Sequence, residues 1–93
     1  MKNVFIENKK TILQICRAND VNDISVAANM ASQMANERNS GNPVSYSLKG
    51  VEGFEKFCKD YASLDKAEIG TQFAEYNKKA TEAIQKGEPW ILD

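Results

Sequence analysis

The stretch SGNPVSYSLKGVEG, residues 40–53, holds three of the chain's five glycines and one of its two prolines. Its reading decides the fold, because the sequence on either side of it is helical in pattern. Inside it Val44, Tyr46 and Leu48 alternate with Ser45, Ser47 and Lys49. A period of two after a proline predicts a short extended segment at 43–48. Gly50 and Gly53 bracket the entry to the next helix. The element Gly50-Val51-Glu52-Gly53 shares the GxxG pattern of nucleic-acid-clamping loops, which let the main chain approach a phosphate. Glu52 would repel that phosphate, and the Lys-Ser/Thr of a phosphate-binding loop is missing. Residues 40–50 are therefore read as a connector between two helical halves. Tyr46 and Lys49 are its side chains expected to face a partner.

Upstream of the connector, residues 8–18 place Ile12, Ile15 and Cys16 at helical spacing, with Leu13 widening the stripe. Asn8 is suited to cap that helix. Residues 19–23, NDVND, form a turn in which Asn19 is the residue expected to take the left-handed conformation. Asp23 then caps a helix carrying Ile24, Ala27, Ala28, Ala31, Met34 and Ala35 at steps of three and four, ending near Asn39 with Gly41 just beyond. This helix–turn–helix order invites a DNA-binding reading. Its second helix, however, has no Arg or Lys before Arg38 and would find few phosphates.

Downstream, Val51, Phe54, Phe57, Cys58, Tyr61 and Ala62 mark one helical face. Ile69, Phe73, Tyr76, Ala80, Ala83 and Ile84 mark a second. Asp65 and Glu68 have the spacing of a capping box, so a break or kink is expected at 63–66. Glu52–Lys56, Glu55–Lys59, Glu75–Lys79 and Glu82–Lys86 stand at i,i+4 and describe a solvated helix surface. Gly87 and Pro89 stop the last helix ahead of Trp90-Ile91-Leu92. These three apolar residues either close one end of the core or anchor a partner, tryptophan being a frequent interface residue.

Ninety-three residues make one domain, 1–93, with 42% hydrophobic and 27% charged residues as in ordinary globular chains. A net charge of -1 makes strong general nucleic-acid affinity an unfavourable reading. Only Val4 to Ile6 are consecutively apolar near the start, too few for a secretory core or a membrane span, so a cytoplasmic setting with no membrane is expected. The absence of histidine removes Cys–His, Ser–His–Asp and His-based metal chemistry from this chain. Cys16 and Cys58 lie on apolar stripes without an activating cation and are expected to be inert, with no metal and no cofactor.

The fold class predicted is mainly α: a single small domain of three to four helices, with short extended segments at 3–6, 43–48 and 89–92. A small sheet among those segments, making the class α+β, is the alternative. The function expected is a non-catalytic protein–protein interaction module, not an enzyme. It would be a regulator or inhibitor docking on a larger protein, a size that also fits phage- or mobile-element-encoded inhibitors. A nucleic-acid-binding regulator and a self-assembling structural protein are the alternatives. Candidate partner-binding residues are Tyr46, Lys49, Trp90, Ile91 and Leu92. The small-residue face of residues 24–35 and the apolar tail further suggest a homo-oligomer.

Overall fold

The computed structural model describes residues 2–87. The described residues are mainly helical and hold five helices: α1 (Val4–Glu7), α2 (Lys9–Ala18), α3 (Ile24–Asn39), α4 (Phe54–Ala62) and α5 (Lys66–Gln85). Among the described residues there is no strand, so the sheet alternative does not hold there. The expected segment 89–92, with Trp90, Ile91 and Leu92, lies outside the described residues.

The expected extended run at 3–6 is instead a helical turn. Asn3 sits at its N-cap in extended backbone, and its Oδ1 accepts the Ile6 N–H at 3.0 Å. That side chain ties off an orphan donor and lets a four-residue helix exist. Asn8 ends the turn and stands before α2, but makes no side-chain cap to α2. Its Nδ2 donates backward to the Val4 carbonyl at 2.9 Å and across to Asp60 Oδ2 at 3.2 Å. The amide therefore fixes the angle between α1 and α2 and links both to α4.

In the turn between α2 and α3 it is Asp20, at φ 53, that adopts the left-handed conformation, and Asn19 does not. Asn19 is held by donating to the Ile15 carbonyl at 2.8 Å, which keeps it at φ -114. Asp23 caps α3 as expected, accepting from Ser25 N–H at 2.9 Å and Val26 N–H at 3.4 Å. At the far end Gly41 N–H reaches the Arg38 carbonyl and Asn42 N–H reaches the Glu37 carbonyl at 2.8 Å. With Gly41 at φ +76 this is a Schellman closure, which sends the chain back along the helix it has just left.

The break at 63–65 is real. Ser63 closes α4, and Asp65 Oδ1 accepts Glu68 N–H at 2.7 Å to open α5. The reciprocal half of a capping box is not formed, since Glu68 Oε2 accepts from Gln72. The i,i+4 expectation is met at Glu75–Lys79, 3.3 Å apart. Glu55 instead pairs with Arg38 across the α3–α4 contact, and Lys56 pairs with Asp60.

Ala27, Ala28, Ala31, Met34 and Ala35 are completely buried. The small-residue face of α3 thus lets α2 and α4 close in on it within one molecule. It is not a surface left for a second copy, which removes that ground for expecting an oligomer. The centre of the core is Phe5. Its ring stands 5.8 Å from Phe73, 6.0 Å from Phe57, 6.1 Å from Tyr76 and 6.2 Å from Tyr61, with three of the four contacts edge-on. Edge-to-face pairs contribute about 0.5–1.5 kcal/mol beyond the area they bury. Phe5→Ala should therefore cost about 3–5 kcal/mol, the usual loss for a buried aromatic. Out of the roughly 5–15 kcal/mol of a small domain, that shift is readily seen in a urea unfolding midpoint.

Candidate functional site

Two surface features emerge, one built on the connector and one at the α1/α4/α5 corner. The connector returns along α3 and then crosses to α2, held by helix side chains throughout. Glu37 Oε1 accepts the Ser45 N–H at 3.0 Å and Glu37 Oε2 accepts the Ser45 hydroxyl. The Tyr46 hydroxyl donates to Gln33 Oε1 at 2.9 Å. Asn19 Oδ1 accepts the Ser47 N–H at 3.4 Å, and Gln14 Oε1 accepts the Glu52 N–H at 2.6 Å. Thr11 then donates its hydroxyl to the Glu52 carbonyl at 2.8 Å. The period of two in 43–48 holds in facing only as far as Tyr46: Val44 and Tyr46 pack on the core cluster with Ser45 exposed, whereas Leu48 is exposed like Ser47 and Lys49. It does not produce a strand, because helix side chains take the place of a ladder partner.

Gly53 completes the anchorage. It has φ +78, and a Cβ built there would lie 2.8 Å from Thr11 Oγ1. Only glycine lets the main chain come so close while turning into α4. Of the two connector residues expected to face a partner, Tyr46 is half-buried, its side chain packed on the core cluster and its hydroxyl bonded to exposed Gln33, and Lys49 is exposed. Trp90, Ile91 and Leu92 lie outside the described residues.

The second feature is a groove of about 570 Å³ where residues 2–7 meet the α4–α5 corner. It adjoins a hollow of about 260 Å³ along α5. Together they are lined by five carboxylates, Glu7, Asp60, Asp65, Glu68 and Glu75, against two lysines, Lys2 and Lys56. Both lysines already face a groove acid: Lys56 Nζ lies 2.6 Å from Asp60, and Lys2 Nζ lies 3.8 Å from Glu7. The floor is set by buried Gln72. Its Oε1 accepts the Val4 N–H at 2.8 Å, and its Nε2 donates to the Lys2 carbonyl at 3.1 Å. The sequence reading missed this groove. Its walls come from opposite ends of the chain, and Asp65 and Glu68 were legible only as a helix start.

The thiols sit in the core. Cys16 donates to the Val21 carbonyl, and burial pushes its pKa up. Burial, helped by the nearby Glu55 carboxylate, pushes Cys58 up to about 11. A raised pKa suppresses the thiolate, which is the nucleophilic form. Among the described residues no cluster of three or more metal-ligating side chains is assembled. No helix among them is long and apolar enough to cross a membrane.

Both cysteines should resist alkylation in the folded protein at neutral pH and react fully in denaturant. Mass spectrometry of iodoacetamide-treated samples distinguishes the two states. The carboxylates give a pH expectation. Hydrogen bonds from Asn3 and Lys79 hold Glu75 below its usual value, Lys56 and then Asn8 lower Asp60, Ser45 lowers Glu37, and Ser25 lowers Asp23. Each folded value lies below the unfolded one, so each contributes stability above the unfolded value that is lost as pH falls through the folded value. The ordinary values are 4.5 for Glu and 3.8 for Asp. The urea midpoint should therefore fall as pH drops below those values, and Glu75→Gln should flatten part of that fall. No family model, curated protein or solved structure matches the chain. The geometry alone carries the functional reading.

Proposed function

We propose that the protein is a non-catalytic interaction module that docks on a larger protein, as a regulator or inhibitor, and that the α1/α4/α5 groove is its docking face. The observation that carries this reading is the groove itself. It joins concave shape to a charge excess of one sign, on a chain whose overall charge is only -1. A partner with a cationic projection complements it, and such complementarity chiefly raises association rate and specificity. The core placement of both thiols supports a non-catalytic role, since a raised thiol is a poor nucleophile. Arg38, the first cation of α3, is engaged by Glu55 in a two-pronged contact at 3.1 and 3.3 Å, which takes it away from any phosphate.

The test is a double variant that alters groove charge while sparing the fold. Glu7→Lys with Asp65→Ser leaves three carboxylates and three lysines, and serine retains a capping oxygen for α5. A partner captured from the native cell and then purified should bind the variant at least about tenfold more weakly, with the melting temperature within a few degrees of wild type. The difference should shrink in high salt. Equal binding of the two proteins at low salt would remove the groove from the docking face.

A further inference from the structure

The connector is attached to the helices through exposed side-chain hydrogen bonds. Between Asn42 and Gly50 every hydrogen bond to the helices passes through a side chain: Glu37, Gln33 and Asn19. All four of these bonds are exposed. Bonds of that kind add little net stability, because water competes for both partners. The apolar hold is limited to half-buried Val44 and Tyr46. Either end is structured differently. On the α3 side the chain leaves through the Schellman closure at Gly41. On the α4 side Leu48–Val51 is a turn closed by Val51 N–H to the Leu48 carbonyl at 3.1 Å, with Gly50 at φ +76 in its third position. Beyond that turn the Glu52 carbonyl accepts the partly buried Thr11 hydroxyl, and its N–H meets Gln14 in an exposed bond. A weakly held span is thus set between two hydrogen-bonded turns.

We infer that residues 43–49 form a hinged strap over the α2–α3 pair, which lifts as a unit between the α3 closure at Asn42 and the turn at Gly50 while the helices stay folded. The helices do not depend on it for their own hydrogen bonds. The closure of α3 is complete at Asn42, and α4 begins beyond the Gln14 and Thr11 bonds to Glu52. Local openings of this kind belong to segments with few buried contacts and exposed hydrogen bonds. When lifted, the strap uncovers the side of the α2–α3 pair marked by Asn19, Gln33 and Glu37, together with the part of the core cluster that Val44 and Tyr46 cover. This inference is independent of the groove, which lies on other elements.

Native-state hydrogen exchange tests it, with protection factors followed across low urea concentrations. The Ser45 and Ser47 amides should exchange through an opening nearly insensitive to urea, with protection at least about tenfold below that of Met34 in α3. Glu37→Ala removes both anchors of Ser45 and keeps a strong helix former in α3. It should lower protection of Ser45 and Ser47 together by about five- to tenfold, with Met34 and Glu52 unchanged. The strap is overturned if Ser45 and Ser47 share the protection and urea dependence of Met34. It is likewise overturned if the variant affects Ser45 alone, which is fraying, or also releases Glu52, which places the hinge elsewhere.

Discussion

Gln72 holds the start of the chain to its last helix, and the remaining architecture follows from that clasp. Its side-chain amide takes the Val4 N–H and gives to the Lys2 carbonyl, while its main-chain carbonyl accepts from Asn3 Nδ2 at 3.0 Å. Asn3 in turn caps α1, so the residue that makes the turn possible is itself positioned by α5. Only with α1 in that position does Phe5 enter the ring formed by Phe57, Tyr61, Phe73 and Tyr76. Buried amides are costly unless all their bonds are made, so the same residues that stabilise this arrangement disfavour every other register.

That clasp also creates the groove. Pulling residues 2–7 onto α5 brings Glu7 and Lys2 to face the α4–α5 corner, where Asp60, Asp65 and Glu68 already lie. At two of the groove acids local donors favour the charged form: Lys56 and Asn8 at Asp60, Asn3 and Lys79 at Glu75. Structural hydrogen bonding and surface charge are therefore one system here. At Asp60 and Glu75 the bonds that shape the groove also favour its negative charge.

The two halves of the molecule are joined by contacts of contrasting character. α3 meets α4 through a buried alanine and aromatic interface, supplemented by the exposed Arg38–Glu55 pair and by Asn39 donating to the Cys58 carbonyl at 3.2 Å. An exposed ion pair adds at most about 1 kcal/mol, so the buried face governs the association of the halves. The connector between them contributes chain continuity and a removable cover. Firm core and loosely held strap can coexist because the strap's polar groups are met by side chains, which let go one at a time, and not by a ladder.

By itself the sequence determined the helical class, the caps at Asp23 and Asp65, the stop beyond Asn39, the break at 63–65 and the buried setting of both cysteines. Each depends on a few neighbouring residues, a period or a cap, which local physics settles. The two-residue alternation of 43–48, read as a short extended segment, forms no strand, and its apolar facing holds at Val44 and Tyr46 but not at Leu48. Only the tertiary structure decided that Val4-Phe5-Ile6 is helix, since a short apolar run serves either state until Asn3 is placed by Gln72. It alone decided that Tyr46 lies half-buried against the core, that Asp20 in place of Asn19 takes the left-handed bend, and that the alanine face is consumed within one molecule. The groove was beyond any local reading, because Lys2 and Gln72 stand 70 residues apart and are brought together only by the closed fold.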